Sequence, residues 1–187
     1  MLATLYPTSC LVCDQTVSQV DQILCVTCFH SLQVVDRSVA LCQKCCRMLE
    51  NEEEFCPNCK RSNVHFDRIL PVVHCDIIPK ILASKMKKAN DHLAKLIATL
   101  MITTFDKDYD LICHIPKIPE SRRLAKMVSH LAEIPYHTSK MRVKVNSNIL
   151  MVLPFVENPY YINEASKRIR ALLPNSIDVI AFSAVWL

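Results

Sequence analysis

The sequence predicts an α/β fold with a mainly parallel sheet, preceded by a small cysteine-rich metal module. Three observations lead there. Nine of the eleven cysteines lie in the first 60 residues, and eight of these fall into Cys-x2-Cys pairs. The rest of the chain alternates short apolar runs with stretches of helical periodicity, the order that yields strands joined by crossover helices. Residues 1–60 carry a local charge of −3, whereas residues 61–187 carry +7. The shift near Arg61-Ser62-Asn63 divides a cysteine-rich region, 1–61, from an α/β region, 62–187.

Within the second region, Asp67 to His74 reads as a strand weakened by Pro71. Ile78 to Met101 reads as one or two helices, with Ile81, Leu82, Met86, Leu93, Leu96, Ile97 and Leu100 at helical spacing. Tyr109 to Ile115 is a short apolar strand ended by Pro116, and Ser121 to Ile134 is helical with Leu124, Val128 and Leu131 on one face. The continuous apolar run Ile149 to Leu153 suits a strand buried on both faces. A helix opens from about Pro159, with Asn158 as N-cap and Ile162, Ala165, Ile169, Leu172 and Leu173 facing inward. Ile177 to Phe182 is the last strand.

The 187 residues include no glycine, against about 13 for average usage of roughly 7%. Gly-rich phosphate cradles need backbone that only glycine supplies, so standard nucleotide and dinucleotide loops are excluded. The N-terminus lacks a basic leader and reaches a cysteine at position 10, and the longest mostly apolar run, Leu96 to Phe105, is too short to cross a bilayer. Together with cysteines paired for metal rather than disulfides, these features predict a cytoplasmic protein.

The pairs are Cys10/Cys13, Cys25/Cys28, Cys42/Cys45 and Cys56/Cys59, with eleven residues between the first two and ten between the last two. Two residues between cysteines let both sulfurs of one turn face a single tetrahedral ion, and a second such turn closes a four-thiolate shell. Each half therefore has zinc-ribbon spacing. A closed shell has no open position for water or substrate, so two structural zinc ions are expected. Spacing favours Cys45 over the adjacent Cys46 as ligand. A zinc nucleobase deaminase is excluded, because no His-x-Glu occurs in the chain. His30 and His65 read as partly exposed histidines, and Cys75 and Cys113 as buried small apolar residues. With two divalent ions and eight thiolates, the formal charge of +4 falls to zero, so only the distribution of charge bears on partners.

That distribution is uneven. Residues 80–95 carry +4 through Lys80, Lys85, Lys87, Lys88 and Lys95 against Asp91, and residues 117–144 carry +5, with Arg122 and Arg123 adjacent. Such clusters can follow a phosphate backbone, or can be solvated helix faces. Lys85, Lys87, Lys88, Arg122 and Arg123 are the candidate nucleic-acid contacts. Aromatic residues are 6% of the chain, so stacking platforms are few.

The double four-cysteine ribbon, then Phe66-Asp67-Arg68, a Lys-rich helix, Asp110-Leu111-Ile112-Cys113-His114-Ile115-Pro116 and a final strand-helix-strand resemble the ComF family of competence proteins over nearly the whole chain. The resemblance implies a zinc ribbon region joined to a type I phosphoribosyltransferase-like domain. It also implies a role in natural transformation, with single-stranded DNA and a helicase-like ATPase as partners. The family pattern after the apolar strand is two aspartates, two apolar residues, Thr-Thr-Gly and a helix. Here Leu153 and Pro154 stand at the aspartate positions, and Glu157-Asn158-Pro159 replaces Thr-Thr-Gly. The family's Arg-Gly-Phe-Asn-Gln segment after Pro116 is also missing.

Leu153 and Pro154 cannot accept the ribose hydroxyls that paired carboxylates would hold, Glu157 would oppose a phosphate, and Pro159 deletes an N–H donor. The expectation is a non-catalytic adaptor with a degenerate phosphoribosyl site. The alternatives are a phosphoribosyltransferase with relocated ligands, drawing on Glu157, Asn158, Arg122 and Arg123, and a general nucleic-acid-binding zinc protein.

Overall fold

The computed structural model describes residues 9–17, 22–50, 53–86, 90–137, 144–156 and 160–184. Strands β1 (Arg68–Val73), β2 (Leu111–His114), β3 (Asn148–Val156) and β4 (Ser176–Ala184) pair in parallel in the order β1-β4-β3-β2. Two short helices, α1 (Val26–His30) and α2 (Pro57–Arg61), belong to the cysteine-rich region, and α3 (Ile77–Met86), α4 (Asp91–Ile102), α5 (Pro119–Ala132) and α6 (Tyr160–Arg170) to the sheet.

Local chemistry accounts for most boundaries. The helical periodicity from Ile78 to Met101 breaks into α3 and α4, and the Asn90 carboxamide oxygen caps α4 by accepting from the Leu93 amide at 3.0 Å. α5 begins at Pro119, two residues ahead of the expected Ser121, because proline has no N–H to leave unbonded at a first helical position. Pro71 is tolerated because β1 is an edge strand. β3 is longer than the apolar run alone predicts, continuing through Leu153-Pro154-Phe155-Val156. Pro154 lies beyond the end of β2, which stops at His114 opposite Val152, so its missing N–H interrupts no pairing with that strand. The expected Asn158 cap and Pro159 helix start lie outside the described residues.

Alternate strand residues face two cores. Leu70, Ile112, Leu150, Val152, Ile180 and Phe182 pack with α3, α4 and α5. Ile69, Ile149, Met151, Ile177 and Val179 face the other way, with Ile162 and Ala165 of α6. Buried Ser121 ties α5 to the sheet, accepting from the Ile115 amide at 2.8 Å and donating to the Val152 carbonyl at 2.5 Å. The chain therefore crosses one face from β1 to β2, continues through α5 on that face to a parallel bridge between Tyr136 and Ile112 outside β2, and returns by β3 and α6 on the opposite face. The direction of winding reverses between β2 and β3.

The first cysteine region shares the larger core, since Cys10, Val17, Leu24, Cys28 and Leu32 are buried in it with Leu93 and Ile97 of α4. The region also covers the outer edge of β1. Val35 donates to the Val72 carbonyl at 3.0 Å, His74 to that of Gln33 at 2.8 Å, and Ile69 to that of Lys44 at 2.6 Å. An uncovered edge would present unpaired N–H and C=O groups to other chains. At the amino ends of the strands, Asp178, 1% exposed, accepts through Oδ2 from Arg68 Nε (2.9 Å), Lys107 Nζ (3.0 Å) and Tyr109 Oη (2.9 Å). The other guanidinium nitrogens of Arg68 hold Asp106 at 2.6 and 2.7 Å.

Candidate metal centres and the carboxyl edge of the sheet

The four cysteine pairs converge into two shells, Cys10/Cys13/Cys25/Cys28 and Cys42/Cys45/Cys56/Cys59, and within each shell the sulfurs lie within 4.8 Å of one another. Cys13 and Cys25 sulfurs are 3.7 Å apart, and those of Cys45 and Cys56 are 3.8 Å apart. A tetrahedral zinc with bonds of about 2.3 Å separates its sulfurs by about 3.8 Å. Backbone amides support the sulfurs: Val12 donates to Cys10 at 3.4 Å, Cys28 to Cys25 at 3.4 Å and Cys56 to Cys42 at 3.3 Å. Burial raises the Cys10 and Cys42 thiols, but these and neighbouring amides outweigh it and hold them down at about 6 and about 7. Burial and the neighbouring sulfurs push Cys28 and Cys45 up. Several thiolates crowded together in this way call for a cation, and each shell fits one structural zinc ion.

Cys45 joins the second shell and Cys46 does not. Cys46 turns the chain with φ 56°, as Asp14 does with φ 60° directly after Cys13 in the first shell. These are the left-handed positions where glycine is easiest, and both are filled by other residues in this chain. Lys60, by contrast, is helical within α2 and pairs with Glu53 at 2.9 Å. His30 is exposed on α1, and neither it nor His65 belongs to a shell. Cys113 is buried in β2 as expected, with burial pushing its thiol up to about 12, while Cys75 lies half-buried just past β1.

Leu153 and Pro154, where the resemblance puts paired aspartates, are buried within β3. Glu157, Asn158 and Pro159 lie outside the described residues. Beside Leu153 and Pro154 a cavity of about 290 Å³ opens at the carboxyl ends of the strands, between α3, the start of α5 and the start of α6.

Of the candidate nucleic-acid contacts, Lys87 and Lys88 lie outside the described residues. Lys85 is half-buried in the last turn of α3, and Arg123 pairs with Asp91 at 3.7 Å. Arg122 is exposed, and with exposed Lys126 and His130 it forms a stripe at four-residue spacing along α5. The stripe borders a groove of about 520 Å³ shared with Met86, Pro119 and Met127. Tyr136 lies beside it, its ring 5.8 Å from that of His114 and 6.0 Å from Lys126 Nζ, with its hydroxyl 2.7 Å from His114 Nδ1. Burial, then the positive charges of Arg122, His137 and Lys126, hold His114 below the ordinary histidine range. The four-residue stripe is legible in the sequence. The aromatic pair beside it is not, because it depends on the bridge between Tyr136 and β2.

Residues 1–60 match the double zinc ribbon domain family. The comparison with curated proteins gives no match. Among solved structures, the chain is similar to an HGPRT-ase from Leishmania tarentolae in complex with GMP, at 16% identity and a TM-score of 0.31, covering 57% of this chain and 67% of that one. It is also similar to a hypoxanthine-guanine phosphoribosyl transferase from L. donovani, at 16% identity and a TM-score of 0.27, covering 55% and 71%. No helix among the described residues is long and apolar enough to cross a membrane.

Proposed function

We propose that this chain is a non-catalytic, zinc-stabilised adaptor whose phosphoribosyltransferase-like domain has lost its phosphoribosyl site, and that it lays single-stranded DNA along α5. In this reading it acts in the cytoplasm as a ComF-like accessory to DNA uptake, beside a helicase-like ATPase. The observation that carries the adaptor role is the burial of apolar Leu153 and Pro154 at the only register where the resemblance puts acidic ligands. The exposed Arg122, Lys126 and His130 stripe with Tyr136 at its side supports the DNA contact, since it combines backbone neutralisation with a ring for stacking.

Fluorescence anisotropy with a labelled oligothymidylate, across a salt series, tests it. Replacing Arg122 and Lys126 together by alanine weakens binding about tenfold and reduces the salt slope by about 1.4, the loss expected for two phosphate contacts to a single strand. An unchanged affinity and slope refutes the DNA contact. Calorimetric binding of phosphoribosyl diphosphate with Mg²⁺ tighter than about 100 μM refutes the non-catalytic reading.

A further inference from the structure

In an open parallel sheet the ligand crevice lies outside the carboxyl ends of the strands, where the winding reverses. Here that point falls between β2 and β3, and the 290 Å³ cavity occupies it. Its volume is near the bottom of the roughly 300–1,000 Å³ range of small-molecule pockets, room for a body about one side chain in size.

The lining is mostly apolar. Leu153, Pro154 and Phe155 come from the end of β3, Ile118 from the entry to α5, and Tyr161 and Ile162 from the start of α6. Among the described residues four lining side chains carry a polar group, the phenol of Tyr161 among them, and one is committed elsewhere, since the Ser84 hydroxyl donates to the Ile81 carbonyl at 2.7 Å. The two charged ones are Lys80 of α3 and Glu120 of α5, which carry opposite charges. Among the described residues neither forms an ion pair with the other or with any other group.

A phosphorylated sugar is the wrong complement. Among the described residues its several negative charges would meet one ammonium and a carboxylate, and most of its hydroxyls would face apolar side chains. A small zwitterion with an apolar body matches on every count. Its carboxylate meets Lys80, its ammonium meets Glu120, and its apolar part replaces water against Leu153, Phe155 and Ile162. We propose that this cleft binds a free amino acid with an aromatic or large aliphatic side chain. The proposal rests on the reading that the cleft has lost its phosphoribosyl site.

The test is calorimetry on the zinc-loaded full chain, with L-phenylalanine and L-leucine as probes. N-acetyl-L-phenylalaninamide lacks both charges, and phenethylamine lacks only the carboxylate. The expected result is saturable binding of L-phenylalanine or L-leucine, with the uncharged analogue about tenfold weaker or worse. Lys80→Ala weakens L-phenylalanine about tenfold but leaves phenethylamine unchanged, whereas Glu120→Gln weakens both. Both substitutions are on the protein surface or its margin, and an unchanged thermal midpoint shows that the fold is intact.

Failure of both amino acids to bind, equal binding of the uncharged analogue, or indifference to both substitutions overturns the proposal. Phosphoribosyl diphosphate is titrated in parallel. If it binds, the loss of the phosphoribosyl site is refuted and this proposal falls with it. If neither it nor the amino acids bind, only the amino-acid proposal fails.

Discussion

The amide of Ile69 in β1 donates to the carbonyl of Lys44, inside the Cys42–Cys45 turn, at 2.6 Å. One hydrogen bond thus joins the second metal shell directly to the edge of the sheet. With the Gln33–Val35 segment paired along Val72 to His74, the metal module forms the cover of an otherwise open strand.

Removing the metal therefore loosens more than the first 60 residues. In hydrogen exchange with and without a zinc chelator, the amides of Val35, Ile69 and His74 lose protection together, and oligomers form as the β1 edge is exposed. If those amides keep their protection while the cysteine turns lose theirs, the module is independent of the sheet.

Elemental analysis gives two zinc ions per chain. Cys45→Ser reduces the count to one, because Cys45 lies in the second shell, and Cys46→Gly leaves it at two. The glycine also relieves the left-handed backbone at Cys46, φ 56°, a gain of about 1 kcal/mol that offsets part of the packing lost with the half-buried side chain. Loss of one ion in Cys46→Gly would overturn the ligand assignment.

Asp178 holds β1, β4 and the approach to β2 through Arg68, Lys107 and Tyr109. Asp178→Ala leaves two cations without their buried partner. Both cations reach water, with side chains 27% and 32% exposed, so the cost is about 2–3 kcal/mol rather than the roughly 3–5 of a fully buried pair. Tyr109→Phe removes one hydrogen bond to that carboxylate but leaves both cations paired, so it costs less, about 1.5 kcal/mol. Urea unfolding of the two variants measures the difference, and equal losses would count against a charge-centred cluster.

Burial raises the Asp106 carboxyl, but the bidentate Arg68 guanidinium outweighs it and holds the group below the ordinary aspartate range. A lowered folded value makes its stabilisation complete above the unfolded value of about 3.9 and lost as pH falls through the folded value. Asp106 is 38% exposed, so the contribution is about 1 kcal/mol. The stability gap between wild type and Asp106→Asn, measured by urea unfolding, narrows as pH falls below about 4. A gap that widens on acidification would reverse the sign assigned to this pair.

The sequence by itself determined the elements and the metal chemistry. Cys-x2-Cys turns bring sulfurs together over two residues, and strand and helix periods repeat within about ten, so both are local properties that spacing displays. Proline told less, because its tolerance depends on neighbours: Pro71 sits on an edge strand, and Pro154 lies past the end of β2, neither visible from the residue itself. Only the tertiary structure decided that the metal module covers β1 and that Lys80 and Glu120 flank one apolar cleft. Each of these joins residues tens of positions apart, and such contacts follow from which faces must be buried together rather than from any local spacing.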